Sequence, residues 1–249
     1  MKSFAVIVLV VVTVCSVQGV DYCALRPQLC GTREHIACTP NSFPFTTCTN
    51  MVIVPLTQTL KNVIVNRHNL YRQSTANGLV NSLPTAGRMR QMYWDDELAS
   101  IAQTHVSHCT FAHDQCRATV AYPYSGQNLA KMASTAPNTN ATNRLEYAIT
   151  LWFNENTLTT AANIDSIPTD ISKIGHYTVM SREENVRVGC AYITYSYVSS
   201  GYTWYAHMIT CNYADNNFIG EPVYTRGAPC ANCAAAGTTC STTYPGLCV

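Results

Sequence analysis

The sequence predicts an α+β chain, a layered sandwich of helices and sheet, on three observations. Apolar residues at helical spacing fill three segments between Leu56 and Asn156, strand-forming residues concentrate between Tyr192 and Ile209, and cysteines crowd both ends of the chain. Helices placed before strands favour stacked layers, and paired cysteines would staple the irregular ends.

Residues 1–19 open with one cation, Lys2, continue with an apolar run from Phe4 to Val14 broken only by Thr13, and end at Val17 and Gly19. This is the pattern of a cleavable secretory signal, with a run too short to span a bilayer. No later stretch reaches the roughly 18 apolar residues that a transmembrane helix requires. A soluble, extracellular and monomeric protein is therefore expected. Loss of Lys2 and Cys15 with the signal leaves 14 basic residues, 14 acidic residues and 12 cysteines, from 15, 14 and 13. Balanced charge gives no electrostatic footprint for nucleic acid or an anionic membrane, and neither partner is expected. An even cysteine count in an oxidising compartment favours disulfides over zinc thiolates.

Residues 20–54 hold Cys23, Cys30, Cys38 and Cys48 among prolines, threonines and asparagines without helical or strand periodicity, and read as an irregular stapled lobe. A larger domain follows over 55–225. Its first helix carries Leu56, Leu60, Val63, Ile64 and Tyr71 on one face and closes at Asn77-Gly78. His68 shares that helix with Asn69 and Arg72 and is expected to be a satisfied structural histidine. In the second helix, Asp95-Asp96-Glu97 complement the positive end of the dipole, and Leu98, Ala99, Ile101, Ala102 and Val106 form the buried side.

The third helix is expected from Thr142 to about Asn156, with Leu145, Ala148, Ile149 and Trp152 on its inner stripe. Glu155 continues that stripe and so faces the protein, where a partner must offset its desolvation. Tyr192 to Tyr195 and Thr203 to Ile209 flank Ser199-Ser200-Gly201 as a hairpin. Residues 226–249 turn small and polar and contain Cys230, Cys233, Cys240 and Cys248, a separate stapled tail whose three pairings stay open. Asn140-Ala141-Thr142 is an acceptor for N-linked glycan in a polar stretch.

Four distant segments read as the corners of one site: Ala112-His113-Asp114, Gly126-Gln127-Asn128, Trp152 to Glu155, and Gly175-His176-Tyr177-Thr178. They occur in order with Tyr22-Cys23, His35-Ile36-Ala37-Cys38, Arg67-His68-Asn69, Trp94 to Ala99, Gly189-Cys190 and Cys211-Asn212-Tyr213. This ordered set resembles the CAP superfamily (cysteine-rich secretory, antigen 5 and pathogenesis-related proteins), and within it the antigen 5, or venom allergen-like, proteins of insects. The tail with Tyr244-Pro245-Gly246-Leu247-Cys248 is similar to that of fly relatives and points to a dipteran source.

The resemblance implies a three-layer α-β-α sandwich and four disulfides, Cys23 with Cys38, Cys30 with Cys116, Cys48 with Cys109, and Cys190 with Cys211. It also implies a cleft tetrad of His113, Gln127, Glu155 and His176. Gln127 stands where many relatives carry Glu, and a carboxamide can neither bear charge nor act as a base. Ser181-Arg182 replace a common Val-Trp, and one residue is deleted after Asn212-Tyr213.

The resemblance implies a protein that acts by binding, with three functions to weigh. The first is sequestration of a small apolar ligand, a lipid or sterol, in a groove, with Leu129, Met132 and Phe153 as apolar residues near the cleft. The second is engagement of an extracellular host or receptor protein through disulfide-held loops. Thr32-Arg33-Glu34 lacks the glycine and the shorter acid of an integrin-binding Arg-Gly-Asp loop, so that partner is not expected. The third is a metal-dependent hydrolase, which lacks a recognisable nucleophile. No cofactor is required; zinc or another divalent cation could sit at His113 and His176, whose imidazoles are natural ligands. Mutual hydrogen bonding of these histidines and Glu155 without any metal is the alternative.

Overall fold

The computed structural model describes residues 19–38, 48–80, 83–137 and 139–249. The secretory signal over 1–19 thus lies, but for Gly19, outside the described residues. Helices α1 (Tyr22–Cys30), α2 (Gln58–Ala76), α3 (Asp96–Ser107), α4 (Ala141–Asn154), α5 (Ala161–Asp165) and α6 (Gly175–Ser181) surround strands β1 (Thr49–Ile53), β2 (Tyr93–Trp94), β3 (Gly126–Ser134), β4 (Arg187–Ser199) and β5 (Tyr202–Tyr213). The main strands run in the order β1-β4-β5-β3, all antiparallel, and β2 adds a short parallel pairing to β4. Among the described residues, no helix is long and apolar enough to cross a membrane.

The sheet is a middle layer because alternate residues of its strands enter different cores. Cys190, Tyr192, Ile209 and Cys211 join Ile64, Leu145, Ile149 and Trp152 of α2 and α4. Their neighbours Ala191, Ile193, Tyr195, Ala206 and Met208 join Ala102 and Val106 of α3 on the other face. This is the three-layer α-β-α sandwich. Gly189 is required where α3 crosses β4, since a Cβ there would run into the Ala99 amide nitrogen and the Asp95 carbonyl.

The three expected helices are present, each with a side-chain cap: Thr57 accepts from Leu60 N, Asp95 from Leu98 N and Asn140 from Asn143 N. Ser200 and Gly201, both at positive φ, turn the hairpin between β4 and β5.

Two expectations need correction. The segment read as an irregular lobe contains α1, whose Asp21 cap accepts from Cys23 N and Ala24 N, and also β1, which pairs with β4. Only Cys30 of α1 is buried, so no apolar stripe announces that helix. The tail is not separate. Leu247 is fully buried with Ala76, Val80, Leu83, Ala86 and Met89, and Cys248 exchanges backbone hydrogen bonds with Met89 and Gln91. Its pairing is Cys230 with Cys240 and Cys233 with Cys248. The other four disulfides join Cys23 to Cys38, Cys30 to Cys116, Cys48 to Cys109 and Cys190 to Cys211, the pairs that the resemblance implies.

Candidate functional site

The four corner segments do meet, around a cleft of about 390 Å3 lined by His113, Gln127, Asn128, His176 and Asn217 among others. The cleft histidines are oriented by hydrogen bonds at Nδ1. His176 Nδ1 lies 2.6 Å from Glu155 Oε1, and His113 Nδ1 lies 2.7 Å from Gln127 Oε1. Neither Nε2 makes a hydrogen bond among the described residues.

Glu155 sits just beyond α4, in a short 3-10 turn (Glu155–Leu158) rather than in the helix. Its second oxygen accepts from His176 N at 2.8 Å and Tyr177 N at 3.1 Å. It therefore supplies the N-terminal capping of α6, a helix with no side-chain cap of its own at Ile174. This is the partner that the sequence requires for an inward carboxylate. Both oxygens are engaged, so Glu155 positions His176 and does not present itself to the cleft.

Gln127 is held in the same way. Its amide nitrogen donates to Asp114 Oδ2 at 2.8 Å and to Asn212 Oδ1 at 3.1 Å. Two acceptors on that side fix the amide orientation, so Oε1 faces His113 and Nδ1 of that ring carries the proton. Burial pushes the His113 pKa down and keeps the ring neutral, and the nearby Arg117 and His176 act in the same direction. Asp114 is in turn paired with Arg117 at 3.0 Å. His105, from α3, bonds the Ala112 carbonyl at 2.9 Å and anchors the segment bearing His113.

Residues 65–213 match the model of the cysteine-rich secretory protein family, CAP. The chain belongs to the CAP family. It is 37% identical to Venom allergen-1 of Aedes albopictus, over 86% of this chain and 82% of that one. It is 36% identical to Venom allergen 5 of Dolichovespula arenaria, over 83% and 99%. The solved structure of NaASP2 with Zn2+ superposes with a TM-score of 0.58 at 22% identity, covering 84% of this chain and all of the other, a likeness of fold.

In this CAP protein Gln127 has a local reason. A glutamate would set its carboxylate against Asp114 Oδ2 and Asn212 Oδ1, two acceptors with nothing to donate. Gln127→Glu is expected to cost about 1–3 kcal/mol at neutral pH. Repulsion raises the folded-state pKa of the new carboxyl, so the loss should shrink as pH falls and the group takes up a proton. Melting temperatures at pH 7.5 and 5 check this; equal losses at both would contradict it.

Ser181 and Arg182 do not line the cleft. Arg182, only 6% exposed, pairs with Asp215 at 2.7 Å and lies 4.9 Å over the Phe218 ring, which secures the segment carrying Asn216 and Asn217. His68 is the satisfied histidine expected: Nδ1 bonds the Ile64 carbonyl at 2.8 Å and Nε2 meets the Tyr213 hydroxyl at 2.9 Å.

Leu129 is buried, and Met132 and Phe153 are partly buried and pack against the core; Phe153 stacks on Tyr71 at 3.9 Å between centroids. The apolar hollow of this CAP protein lies elsewhere. A cavity of about 360 Å3 opens beside the start of α4, bounded by Val54, Pro137, Ala141, Tyr192, Tyr205 and Ala206, with Thr194 and His207 among its polar contributors. No local sequence pattern marks it, because its wall comes from three strands and a loop. Alternation in β5 was the available signal: Tyr205 and His207 fall on one side of that strand.

Proposed function

We propose that the chain is a secreted CAP protein that acts by binding, and that it takes a small apolar ligand, a lipid or sterol, into the cavity beside α4. One observation carries this reading: the cavity of about 360 Å3 has the size of a small-molecule site, and Val54, Pro137, Ala141, Tyr192 and Tyr205 are among its lining residues. The cleft is lined by imidazoles, carboxamides and Arg117 together with Ile171 and Val179. Secretion is supported by the pattern of residues 1–19 and by six disulfides, which belong in an oxidising compartment. Native mass spectrometry of the secreted protein is expected to release a lipid-sized molecule. Oxidised protein that carries no such molecule and takes up neither cholesterol nor dodecanoate would overturn the proposal.

The Nδ1 contacts favour a second reading, in which the cleft holds a divalent cation such as zinc. Donation from Nδ1 to an oxygen acceptor fixes the tautomer and leaves the Nε2 lone pair for a metal. His113 and His176 would be the protein's ligands, with the remaining positions filled from outside it. Among the described residues no group of three or more His, Cys, Asp or Glu could hold a metal, consistent with such a sparse shell. A bound cation would act as a Lewis acid or a structural clip. Among the described residues no hydroxyl or thiol hydrogen-bonds either cleft imidazole, so nucleophilic hydrolysis gains no support.

Zinc at 100 times its Kd is expected to stabilise the parent by about 2.7 kcal/mol and to leave His176→Ala unmoved. Equal stabilisation of both would remove the histidine pair as the site.

A further inference from the structure

We propose that the cleft holding His113 and His176 is a binding site for a primary ammonium group, the head of a small organic amine. The ammonium donates to Asn128 Oδ1, Asn217 Oδ1 and His176 Nε2, while the apolar body of the ligand lies against Ile171 and Val179. The inference concerns the cleft and does not rest on the cavity beside α4.

The hydrogen bonds of two carboxamides carry it. Asn128 is 1% exposed and spends its amide nitrogen on the His176 carbonyl at 3.1 Å and the Tyr213 hydroxyl at 3.3 Å, which leaves Oδ1 buried without a partner. Asn217 donates its amide nitrogen to the Gly175 carbonyl at 2.9 Å, and its Oδ1 is likewise buried and unpartnered. A backbone carbonyl only accepts, so neither amide can exchange its two ends. Both residues line the cleft. Buried polar atoms without partners are rare in folded proteins, because each keeps its desolvation cost. Two such acceptors in one cleft call for a donor. The loop that brings Asn217 there is held against β3: Gly126 N donates to Asp215 O at 3.2 Å, and a Cβ on Gly126 would meet that oxygen at 2.5 Å.

The rest of the lining asks for the same partner. His113 and His176 donate from Nδ1 to Gln127 and Glu155, so each Nε2 offers a lone pair. The guanidinium of the lining is already occupied, since Arg117 donates to the Asp114 carboxylate, to Asp114 O and to Ser125 O. Glu155 has no Lys or Arg partner among the described residues, and its charge backs the His176 ring. Several acceptors with a carboxylate behind them suit a cation that carries several N–H donors, which a primary ammonium supplies. A hydroxyl has one donor and no charge; a quaternary ammonium has charge and no donor. The volume of about 390 Å3 leaves room for an apolar body beside the head group.

The test is calorimetric titration of the secreted, chelator-treated protein at neutral pH with 2-phenylethylamine, 2-phenylethanol and phenethyltrimethylammonium, which share one apolar body. The amine is expected to bind roughly tenfold or more tightly than either of the others. Asn217→Leu and His176→Ala each remove one acceptor and should each weaken the amine roughly tenfold, and the trimethyl cation far less. Circular dichroism separates lost recognition from lost folding, and the comparison of the three probes on the parent needs no variant. Equal binding of amine and alcohol by the parent, equal binding of amine and trimethyl cation, or an amine affinity unchanged in both folded variants would overturn the assignment. So would the absence of any amine binding by the parent, which would leave the two carboxamide oxygens to bound water.

Discussion

Replacing Arg72 by alanine is expected to cost about 3–5 kcal/mol of folding stability, the scale of breaking a buried charged hydrogen-bond network. Arg72 is fully buried, yet it faces no carboxylate at bonding distance. Its guanidinium instead ties together backbone carbonyls: Nε and Nη2 donate to Arg90 O at 2.9 and 2.7 Å, and Nη1 donates to Met180 O and Arg182 O at 2.8 Å each. Burial pulls its pKa down to about 9, still above neutrality, so the group stays charged.

One side chain of α2 thereby satisfies the end of α6 and the segment before β2, two stretches with few bonds of their own. Removing it strands the Arg90 and Met180 carbonyls, each with a penalty of about 1–3 kcal/mol, and leaves Arg182 O with the Asn185 amide as its donor. Arg72→Met, which keeps much of the volume, is expected to lose nearly as much, because packing is not what the site lacks. A denaturant midpoint that falls with an unchanged slope checks both variants. A near-neutral Arg72→Met would mean that those carbonyls find other partners and that Arg72 is not an anchor.

What the sequence could reveal follows from where the information lies. Helices α2, α3 and α4 and the β4–β5 hairpin were legible because each carries its own pattern: an apolar stripe, a cap, or a turn at positive φ. Strand β3 carries none, since its first five residues are all buried and mix Gly, Gln and Asn with Leu and Ala. Helix α6 is seven residues long and begins at Gly175, and its N-terminal amides are satisfied by Glu155, twenty residues earlier in the chain. No window on α6 contains that fact.

The site divides along the same line. The tetrad residues were readable as an ordered motif, and the inward Glu155 followed from its place on the α4 stripe. Their arrangement was not readable. That Asp114 and Asn212 stand behind Gln127, and that the apolar cavity draws on β1, β4, β5 and the loop before α4, are consequences of tertiary packing alone.

Stability is expected to fall as pH drops from about 6.5 toward 4, before most carboxylates titrate. The cause is a set of histidines buried in the neutral form. Burial drives the His68 pKa down to about 4 and lowers those of His35, His105, His113 and His207. In the unfolded chain each imidazole takes a proton near pH 6.5. Between the two values the unfolded state binds more protons, so the stabilisation is fully present above about pH 6.5 and is lost as pH falls through the folded-state values.

For His68 alone the interval is worth on the order of 3 kcal/mol, taking about 1.4 kcal/mol for each pKa unit. Protonating its Nε2 would also set a donor against the Tyr213 hydroxyl, which already accepts from Asn128 Nδ2 at 3.3 Å, so the cleft strand β3 feels the change. Denaturant midpoints measured from pH 7.5 to 4 should decline for the parent and decline less for His68→Gln, whose amide can bond but does not titrate. A parent curve that is flat down to pH 4.5 would show that these rings remain neutral at no cost, and the buried-histidine account would fail.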